Sequence, residues 1–431
     1  MMQPRKYYKT VQNQLKNCFA NSDCAIAIEK ELIKEGYSKD FPKMITIKEN
    51  LDYLTQNRAF QVHLPIIGEG NQTVLCPMDF EIFLSGNQYK LYADKETQRG
   101  YFKETVPVIN FIKKIFTDAN VPFMLDFTPS GGHILFNVDV DSDAGKALQQ
   151  IGCLEEGMLD SGLRHGVTQK AMLTFSGITR IAEYVALKTL EAFKNDERDG
   201  KLPVTVSDSA ENCINIDNSW CEGAPHARSI RSPFSLHKKN IEKYKMYNEP
   251  PLVDVVGGVF DGRTFHHEAD IDNVIECMWD LQKASDWSQN FDGVIPFADN
   301  ALVGFIEGYK KTALYKFHRE FDSTEDLPFG KALEQARQVT IIPDWSKDIL
   351  YNPDPRVLQP INMMGFIYDF VIFAKWKPKH VANIMRDIYL DSSFNWAQDF
   401  VDSSPADEKA NFWTRTFAAI AYWKTGALQI N

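Results

Sequence analysis

The hydrophobic periodicity of the chain changes once along its length, near residue 265. Before that point, short strand-like runs alternate with helical spacing, as in 105–119 and 179–194. Beyond it the strand signals fade and long helical patterns take over, in 271–284, 361–374, 378–390 and 406–424. Because period two marks strands and period 3.6 marks helices, the chain is predicted to have an α/β or α+β body followed by an all-helical C-terminal region.

Three units follow from this change. Helix-compatible apolar spacing over 11–35 predicts a helical N-terminal element within residues 1–60. The mixed region 61–265 forms the second unit, and the helical region 266–431 forms the third. Four prolines between residues 341 and 360 interrupt the helical pattern of the third unit, because proline breaks helices, and they predict a sub-boundary there.

The charge balance limits the class of partner. The 431 residues carry 47 basic and 58 acidic side chains, a formal net charge of −11. A generally basic nucleic-acid coat protein is therefore excluded. A local basic groove is not, because electrostatic steering depends on where the charge lies as well as on its sum.

The cysteines and the apolar runs indicate in which cellular compartment the protein is expected. The seven cysteines are scattered without a C-x-x-C pair, so neither a disulfide framework nor a zinc ribbon is expected. The first residues lack the apolar stretch of a signal peptide. The longest apolar run, 365–374, contains Asp369 and is about half the ~20 residues that span a bilayer. The sequence predicts a soluble, cytoplasmic protein.

Residues 74–84, VLCPMDFEIFL, have the alternation of a strand with one buried face. Asp79 and Glu81 fall on the opposite face and point to the same side. Two like charges this close repel each other unless a cation or a basic group lies between them. A solvent-facing strand is the alternative interpretation.

Residues 122–140 read as a hairpin, with strands over 123–127 and 133–140 and a tight turn between them. The turn and the start of the returning strand carry groups suited to phosphate oxygens: backbone amides at two glycines and side-chain donors, namely Ser130, Gly131, Gly132 and His133. A plain hairpin with a surface histidine is the alternative.

Residues 212–240 contain a strand that ends at Asp217, followed by a basic island. The stretch 228–239 has no acidic residue and holds Arg228, Arg231, His237, Lys238 and Lys239. Such a concentration of donors beside a strand-end carboxylate predicts an anion site. A basic surface loop is the alternative.

Two further segments carry candidate ligands. The segment 263–270, RTFHHEAD, lacks metalloprotease spacing and is interpreted as a helix N-terminus with acids in its first turn. The segment 374–386 either contacts a DNA backbone or forms a solvated face, and its basic residues are Lys375, Lys377, Lys379 and Arg386. Aromatic residues between 412 and 423 have helical spacing and are predicted to lie in the core.

The three motifs together resemble those of the archaeo-eukaryotic primase superfamily, in particular its primase-polymerase branch. The first motif of that family is two acids separated by one residue, matched by Asp79-Phe80-Glu81. The second is a Ser-to-His turn, matched by Ser130-Gly131-Gly132-His133, which begins 51 residues after Asp79. The third is a strand-end Asp, matched by Ile216-Asp217 and followed by R-S-P-F-S-L-H-K-K, similar to a segment of phage and plasmid primases. The resemblance covers about residues 60–245.

The resemblance implies an α+β, RRM-like catalytic core with a mixed β-sheet in the unit 61–265, and DNA primase-polymerase activity. It implies that Asp79, Glu81 and Asp217 are the catalytic residues and hold two Mg²⁺ or Mn²⁺ ions, which nucleotidyl transfer requires. It also implies a set of nucleotide-binding residues: Ser130, Gly131, Gly132, His133, Arg228, Arg231, His237 and Lys238. The expected partners are a single-stranded DNA template, NTPs or dNTPs, and a helicase supplied in trans, because no Walker A motif is present.

One departure and three rival functions accompany this interpretation. Two residues separate Ser130 from His133, where several family members have one. A gap-filling or repair polymerase that extends primers without starting them would carry the same motifs. A non-catalytic DNA-binding replication-initiation protein would bind DNA without synthesis, and a metal-dependent nuclease would use the same carboxylates.

Overall fold

The computed structural model describes residues 2–19, 24–28, 43–45, 59–86, 88–194, 201–207, 210, 212–223, 225–237, 251–351, 360–391 and 406–430. Its strands are β1 Cys24–Ile28, β2 Lys43–Ile45, β3 Ala59–Pro65, β4 Thr73–Leu84, β5 Phe123–Thr128, β6 Gly131–Asp139, β7 Val204–Val206, β8 Asn212–Asp217, β9 Ser229–Arg231, β10 Val255–Phe260 and β11 Phe265–His266. Its α-helices are α1 Pro4–Thr10, α2 Gln12–Phe19, α3 Lys95–Asp118, α4 Asp143–Ile151, α5 Glu156–Arg164, α6 Gln169–Phe193, α7 Ile271–Met278, α8 Leu281–Ser288, α9 Asp299–Tyr309, α10 Ala313–Ser323, α11 Lys331–Ala336, α12 Asp344–Ile349, α13 Pro360–Tyr368, α14 Pro378–Leu390 and α15 Ala406–Lys424.

A seven-stranded sheet organises the described part of the chain, in the order β11-β10-β5-β6-β4-β8-β7. Its neighbours are antiparallel except β7 and β8, which are parallel. The sheet is therefore mixed, and the prediction of an α+β protein with a mixed sheet is confirmed.

Helices cover one face of this sheet. On β4 and β6 that face carries buried apolar side chains, among them Phe80, Ile134 and Phe136. Phe116 of α3 packs against Phe136 with ring centroids 5.6 Å apart. Helix α6 is buried along most of its length, so it also lies against the body of the protein. The alternation along β4 reflects this apolar core, whereas β5 and β6 are largely buried on both faces, with Met124 and Leu135 on the face opposite Phe136.

A second, smaller sheet has the order β2-β1-β3-β9. It corrects the N-terminal prediction, because helical structure over 11–35 stops at α2 and residues 24–28 form a strand. Residues 29–35 lie outside the described residues. A short apolar run such as CAIAI fits either period, and its antiparallel pairing with β3 decides the outcome. Strand β9 joins the same sheet through His63 paired with Arg231.

Beyond residue 270 the regular structure that is described is helical, as predicted. The pattern over 271–284 divides into α7 and α8 because Asp280 caps the second helix with its side chain. The pattern over 361–374 ends in a π-helical turn, Asp369–Phe373. Apolar side chains from α1 to α15 form one contiguous buried cluster, so the C-terminal helices share the core of the sheet. No helix in the described ranges is long and apolar enough to cross a bilayer.

The first residue of β6 tests how closely β4 and β6 pack. A Cβ atom on Gly131 would lie 2.6 Å from Glu81 Cα and closer still to the Phe80 carbonyl oxygen. We expect Gly131→Ala to lower the free energy of unfolding by about 1–3 kcal/mol, because the strand backbone must shift. Gly100→Ala is the control: this helical glycine has open space around it, and the change should stabilise by about 0.5–1 kcal/mol. Urea unfolding measures both, and equal effects would contradict the close packing.

Candidate functional site

A row of polar residues crosses the face of the large sheet opposite α3. Asp79 of β4 pairs with His133 of β6 on one side and with Asp217 of β8 on the other. Asp126 of β5 pairs with His133 in turn. Directly paired residues point to the same face of a sheet, so these four side chains lie side by side. Glu81 occupies the next position along β4 on the same face.

The two acids of β4 lie where the alternation predicts. Asp79 and Glu81 are partly exposed, whereas Phe80 and Ile82 between and beyond them are buried. Asp217, at the end of β8, accepts a hydrogen bond from the Ser219 amide at 2.8 Å. The Cβ atoms of directly opposed residues are about 4.5–5.5 Å apart, and like charges so placed destabilise a sheet. The pairing of Asp79 with Asp217 therefore favours a cation between them.

The donor set fits a hard divalent cation, since carboxylate oxygens are the ligands that Mg²⁺ and Mn²⁺ prefer. In the described part of the chain, no group of three or more His, Cys, Asp or Glu side chains lies close enough to hold a metal ion. The strand register opposes two acids, Asp79 and Asp217, with Glu81 one position away on the same face. Mg²⁺ suits such a site, because it is bound by one or two carboxylates and keeps several waters.

His133 lies between two acids and is almost completely buried. Its Nε2 lies 3.7 Å from Asp79 Oδ1, and its Nδ1 lies 3.3 Å from Asp126 Oδ2. Burial lowers the pKa of His133 to about 3, and the nearby Arg231 also lowers it. The imidazole is therefore neutral near pH 7, and the alternative of a surface histidine is wrong.

The turn before β6 is shorter than the sequence suggests. Only Pro129 and Ser130 form the turn, and Gly131 and Gly132 already belong to β6. Ser130 is buried, and its carbonyl oxygen accepts a hydrogen bond from the Ile82 amide at 2.6 Å. A Cβ atom on Gly132 would lie 2.5 Å from the Asp126 carbonyl oxygen. The two glycines therefore serve close strand packing, which the turn prediction did not include.

Gln98 of α3 was not singled out from the sequence, yet it supports this turn. Its Nε2 donates to the Pro129 carbonyl oxygen at 2.8 Å, and its Oε1 accepts from Trp279 Nε1 at 2.5 Å. Gln98 is fully buried. A buried amide bonded on both sides holds the turn in one position.

The basic island is neutralised in part by acids from elsewhere. Arg231 Nε donates to Asp254 Oδ2 at 2.5 Å, and the Arg231 side chain is 15% exposed. Arg228 Nε donates to the Glu222 carbonyl oxygen at 2.5 Å, and its guanidinium lies 3.9 Å from the Glu222 carboxylate. The island is therefore not a simple basic surface loop.

The structure describes the C-terminal end of the basic island only as far as His237. His237 is buried, with its ring centroid 6.2 Å from that of Tyr92. Lys238 and Lys239 lie outside the described residues. The structure therefore brings Arg231 near the polar row, through its effect on the pKa of His133, and leaves the contribution of Lys238 as a prediction.

Two buried acids, one in the row and one beside it, were also missed. Asp126 and Asp254 are at most 1% exposed, and the Oδ1 atom of each has no hydrogen-bond partner among the described residues. Burial raises the pKa of each carboxyl group to about 7, although Arg231 acts in the opposite direction. A single acid inside each of two apolar runs, FMLDFT and LVDVV, was the available sequence signal.

The four candidate DNA-binding residues separate into two pairs. Lys375 and Lys377 are exposed. Lys379 is buried, 2.9 Å from Glu155 and 3.5 Å from Asp326. Arg386 donates at 2.8 Å to Asp387 and at 2.9 Å to the Leu327 carbonyl oxygen. The predicted DNA contact of Lys379 and Arg386 is corrected, because both are committed to internal partners.

Only the last residue of the segment 263–270 belongs to a helix N-terminus, because Phe265 and His266 form strand β11, and the prediction is corrected to that extent. The Asp270 side chain caps α7 by accepting from the Asn273 amide at 2.7 Å. His266 lies 2.8 Å from Asp261 on an exposed strand end. The aromatic residues Phe412, Trp413 and Phe417 of α15 are buried, which confirms their assignment to the core.

Comparisons with known proteins return no significant match, whether to a protein-family model, to a curated protein or to a solved structure. The assignment of function therefore depends on the residues and geometry of the polar row.

Proposed function

We propose that the protein is a DNA primase-polymerase, which synthesises short strands on a single-stranded DNA template by two-metal nucleotidyl transfer. The observation that carries the proposal is the register of three strands. It places Asp79 directly between His133 and Asp217 on one partly exposed sheet face, with Glu81 at the next position. These are the acids and the histidine of the three primase-like motifs, and they are far apart in the sequence.

The carboxylates have the first role in this proposal. Asp79 and Asp217 would hold divalent cations through their oxygens, with Glu81 contributing from the next position. When bound, two Mg²⁺ or Mn²⁺ ions stabilise the charge on the attacking 3′-hydroxyl and on the leaving pyrophosphate. The opposed acids would then be neutralised, which removes their mutual repulsion.

The remaining groups would bind the nucleotide. His133 is neutral and lies beside the partly exposed Asp79, so it can donate one hydrogen bond to a phosphate oxygen bound there without adding charge. Arg231 would supply positive charge beside the β- and γ-phosphates, with its orientation held by Asp254. Ser130, at the turn of the same hairpin as His133, would also bind the nucleotide. Lys238 and His237 would be the remaining nucleotide-binding residues.

In this proposal, binding of a DNA template is compatible with the net negative charge of the protein. Part of the negative charge lies in the three acids, where bound cations would cancel it. Exposed Lys375 and Lys377 would contact the DNA backbone. With few phosphate contacts, template binding is expected to be modest and to weaken as salt increases.

Product formation on an unprimed template tests the proposal. The purified protein is incubated with circular single-stranded DNA, with Mg²⁺ or Mn²⁺, and with ribonucleotides or deoxyribonucleotides in separate reactions. Labelled strands that grow without a primer are the expected result on a denaturing gel. Absence of product with both nucleotide types and both metals contradicts the proposal.

The same gel identifies the rival functions. Extension of an annealed primer without product on unprimed DNA would make the protein a polymerase that cannot start strands. Degradation of end-labelled DNA without nucleotides would make it a nuclease. Binding of DNA without synthesis or degradation would make it a DNA-binding protein.

A further inference from the structure

Asp126 lies behind His133, on the far side from Asp79. Strand pairing places Asp126 opposite His133, and Asp126 Oδ2 is 3.3 Å from the imidazole Nδ1. The Asp126 side chain has no solvent exposure, and in the part of the chain that the structure describes its Oδ1 has no hydrogen-bond partner. Asp126 therefore contacts His133, the residue proposed to bind the nucleotide, and does not face the cation site itself.

The surroundings of Asp126 favour its protonated form. A buried carboxylate is costly unless donors satisfy its oxygens, and no described residue donates to Oδ1 of Asp126. The titratable and charged groups that act on it, or on which it acts, come from each neighbouring element: His133 of β6, Arg231 of β9, Asp254 ahead of β10, Tyr7 of α1 and Cys18 of α2.

The cationic partner in this set is already engaged. Arg231 donates through Nε to Asp254, so its guanidinium interacts more directly with Asp254 than with Asp126. Burial raises the pKa of Asp126 to about 7, which agrees with the geometric argument. Below that value the carboxyl group carries a hydrogen that it can donate.

We propose that Asp126 is a positioning residue whose protonated carboxyl group donates to Nδ1 of His133 and thereby keeps the imidazole hydrogen on Nε2. The Nε2 atom faces Asp79 at 3.7 Å, which is too long for a direct hydrogen bond. The Nε2 hydrogen is then directed toward the partly exposed Asp79, beside which an oxygen of a nucleotide phosphate can accept it. Donation to a nucleotide phosphate rests on the proposed function, whereas the position of the imidazole hydrogen on Nε2 does not.

The proposal has a defined dependence on pH. When the carboxyl group loses its proton, it accepts the Nδ1 hydrogen instead, and Nε2 presents a lone pair. A lone pair repels a phosphate oxygen, so nucleotide affinity should fall as the pH rises through about 7.

Two variants separate these effects. Asp126→Asn keeps the shape and cannot titrate. Its amide oxygen is drawn toward Arg231, and its NH₂ group can donate to Nδ1 at any pH. Asp126→Leu keeps the branched shape with the same number of heavy atoms and can neither donate nor accept, so neither tautomer of His133 is favoured by a partner.

The tautomer is measured by nitrogen-15 NMR on histidine-labelled protein without metal or nucleotide, with His133→Gln to assign the signal. At about pH 6, where a free histidine is largely protonated, we expect neutral His133 with its hydrogen on Nε2. We expect a change toward Nδ1–H between about pH 6 and pH 8 in the native protein and no such change in Asp126→Asn. Hydrogen on Nδ1 at about pH 6, or the same pH-dependent change in Asp126→Asn, overturns the proposal.

Nucleotide binding provides the second measurement. ATP affinity, measured by calorimetry with Mg²⁺, should fall by roughly tenfold across the same interval in the native protein and stay constant in Asp126→Asn. If Asp126→Leu folds, as judged by circular dichroism, its affinity should be low at both pH values. If it does not fold, the comparison with Asp126→Asn decides. Absence of ATP binding by the native protein would count against the proposed function, while the NMR result would still decide the tautomer.

Discussion

Asp79→Asn is expected to lower strand synthesis by at least about 10³-fold while leaving the protein as stable as before or slightly more stable. The activity falls because the amide removes one of the two opposed negative charges that would hold the cations. Stability does not fall, because Asp79 and Asp217 repel each other across the β4–β8 pair in the absence of metal, and the amide relieves that repulsion. Primer-synthesis assays and thermal unfolding in metal-free buffer measure the two effects.

A fall in strand synthesis without a fall in stability distinguishes this site from a structural ion pair. Asp217→Asn should behave in the same way, and the double variant should be little worse than either single one, since the two acids act as a unit. Asp141→Asn is the matched control, because Asp141 is an exposed acid bonded to Lys170 at the surface. It should retain full synthesis. Equal losses in Asp79→Asn and Asp141→Asn, or full activity in Asp79→Asn, would contradict the proposed role.

Arg415→Met is expected to cause a large loss of stability, about 3–5 kcal/mol in the free energy of unfolding. Arg415 of α15 donates to the Glu183 carboxylate of α6 at 2.5 and 3.0 Å, and both side chains are at most 4% exposed. His318 Nε2 lies 3.0 Å from the same carboxylate, and Tyr309 bonds to the other ring nitrogen at 2.6 Å. Removing the guanidinium leaves Glu183 charged and buried without its main partner.

Urea unfolding measures this effect, and two further variants interpret it. In Glu183→Gln with Arg415→Met, both members lose their charge, so the loss should be smaller than in Arg415→Met alone. Lys170→Met removes a comparable but exposed pair with Asp141, and we expect no measurable change there. A loss in Lys170→Met as large as that in Arg415→Met would show that burial is not the cause.

Several features were predictable from local pattern. The face of β4 that carries Asp79 and Glu81 follows from period two, and the helices over 378–390 and 406–424 match α14 and α15 in both bounds. These predictions succeed because each strand or helix contains its own periodicity. The segment 24–28 was wrongly included in a helix, because a five-residue apolar run carries too little periodicity to decide and the partner strand β3 does so instead.

The partners of the site residues were not predictable in the same way. Arg231 lies in an acid-free stretch of sequence, yet Asp254 meets it after a separation of 23 residues. Lys379 and Arg386 have the composition of a DNA-binding face, yet Lys379 is buried against Glu155, 224 residues away. Such contacts depend on how sheets and helices pack, and no local spacing records them.

The sequence alone determined the class of the fold, the positions of several elements and the acids that share a strand face, because hydrophobic period and strand pleat are local properties of the backbone. Only the tertiary structure decided which strands are neighbours. That choice aligned Asp126, His133, Asp79 and Asp217 in one row and buried Asp126 and Asp254 beside Arg231. The reason is physical: protonation state and cation affinity depend on charges and solvent within a few ångströms, and those neighbours come from strands that the sequence keeps apart.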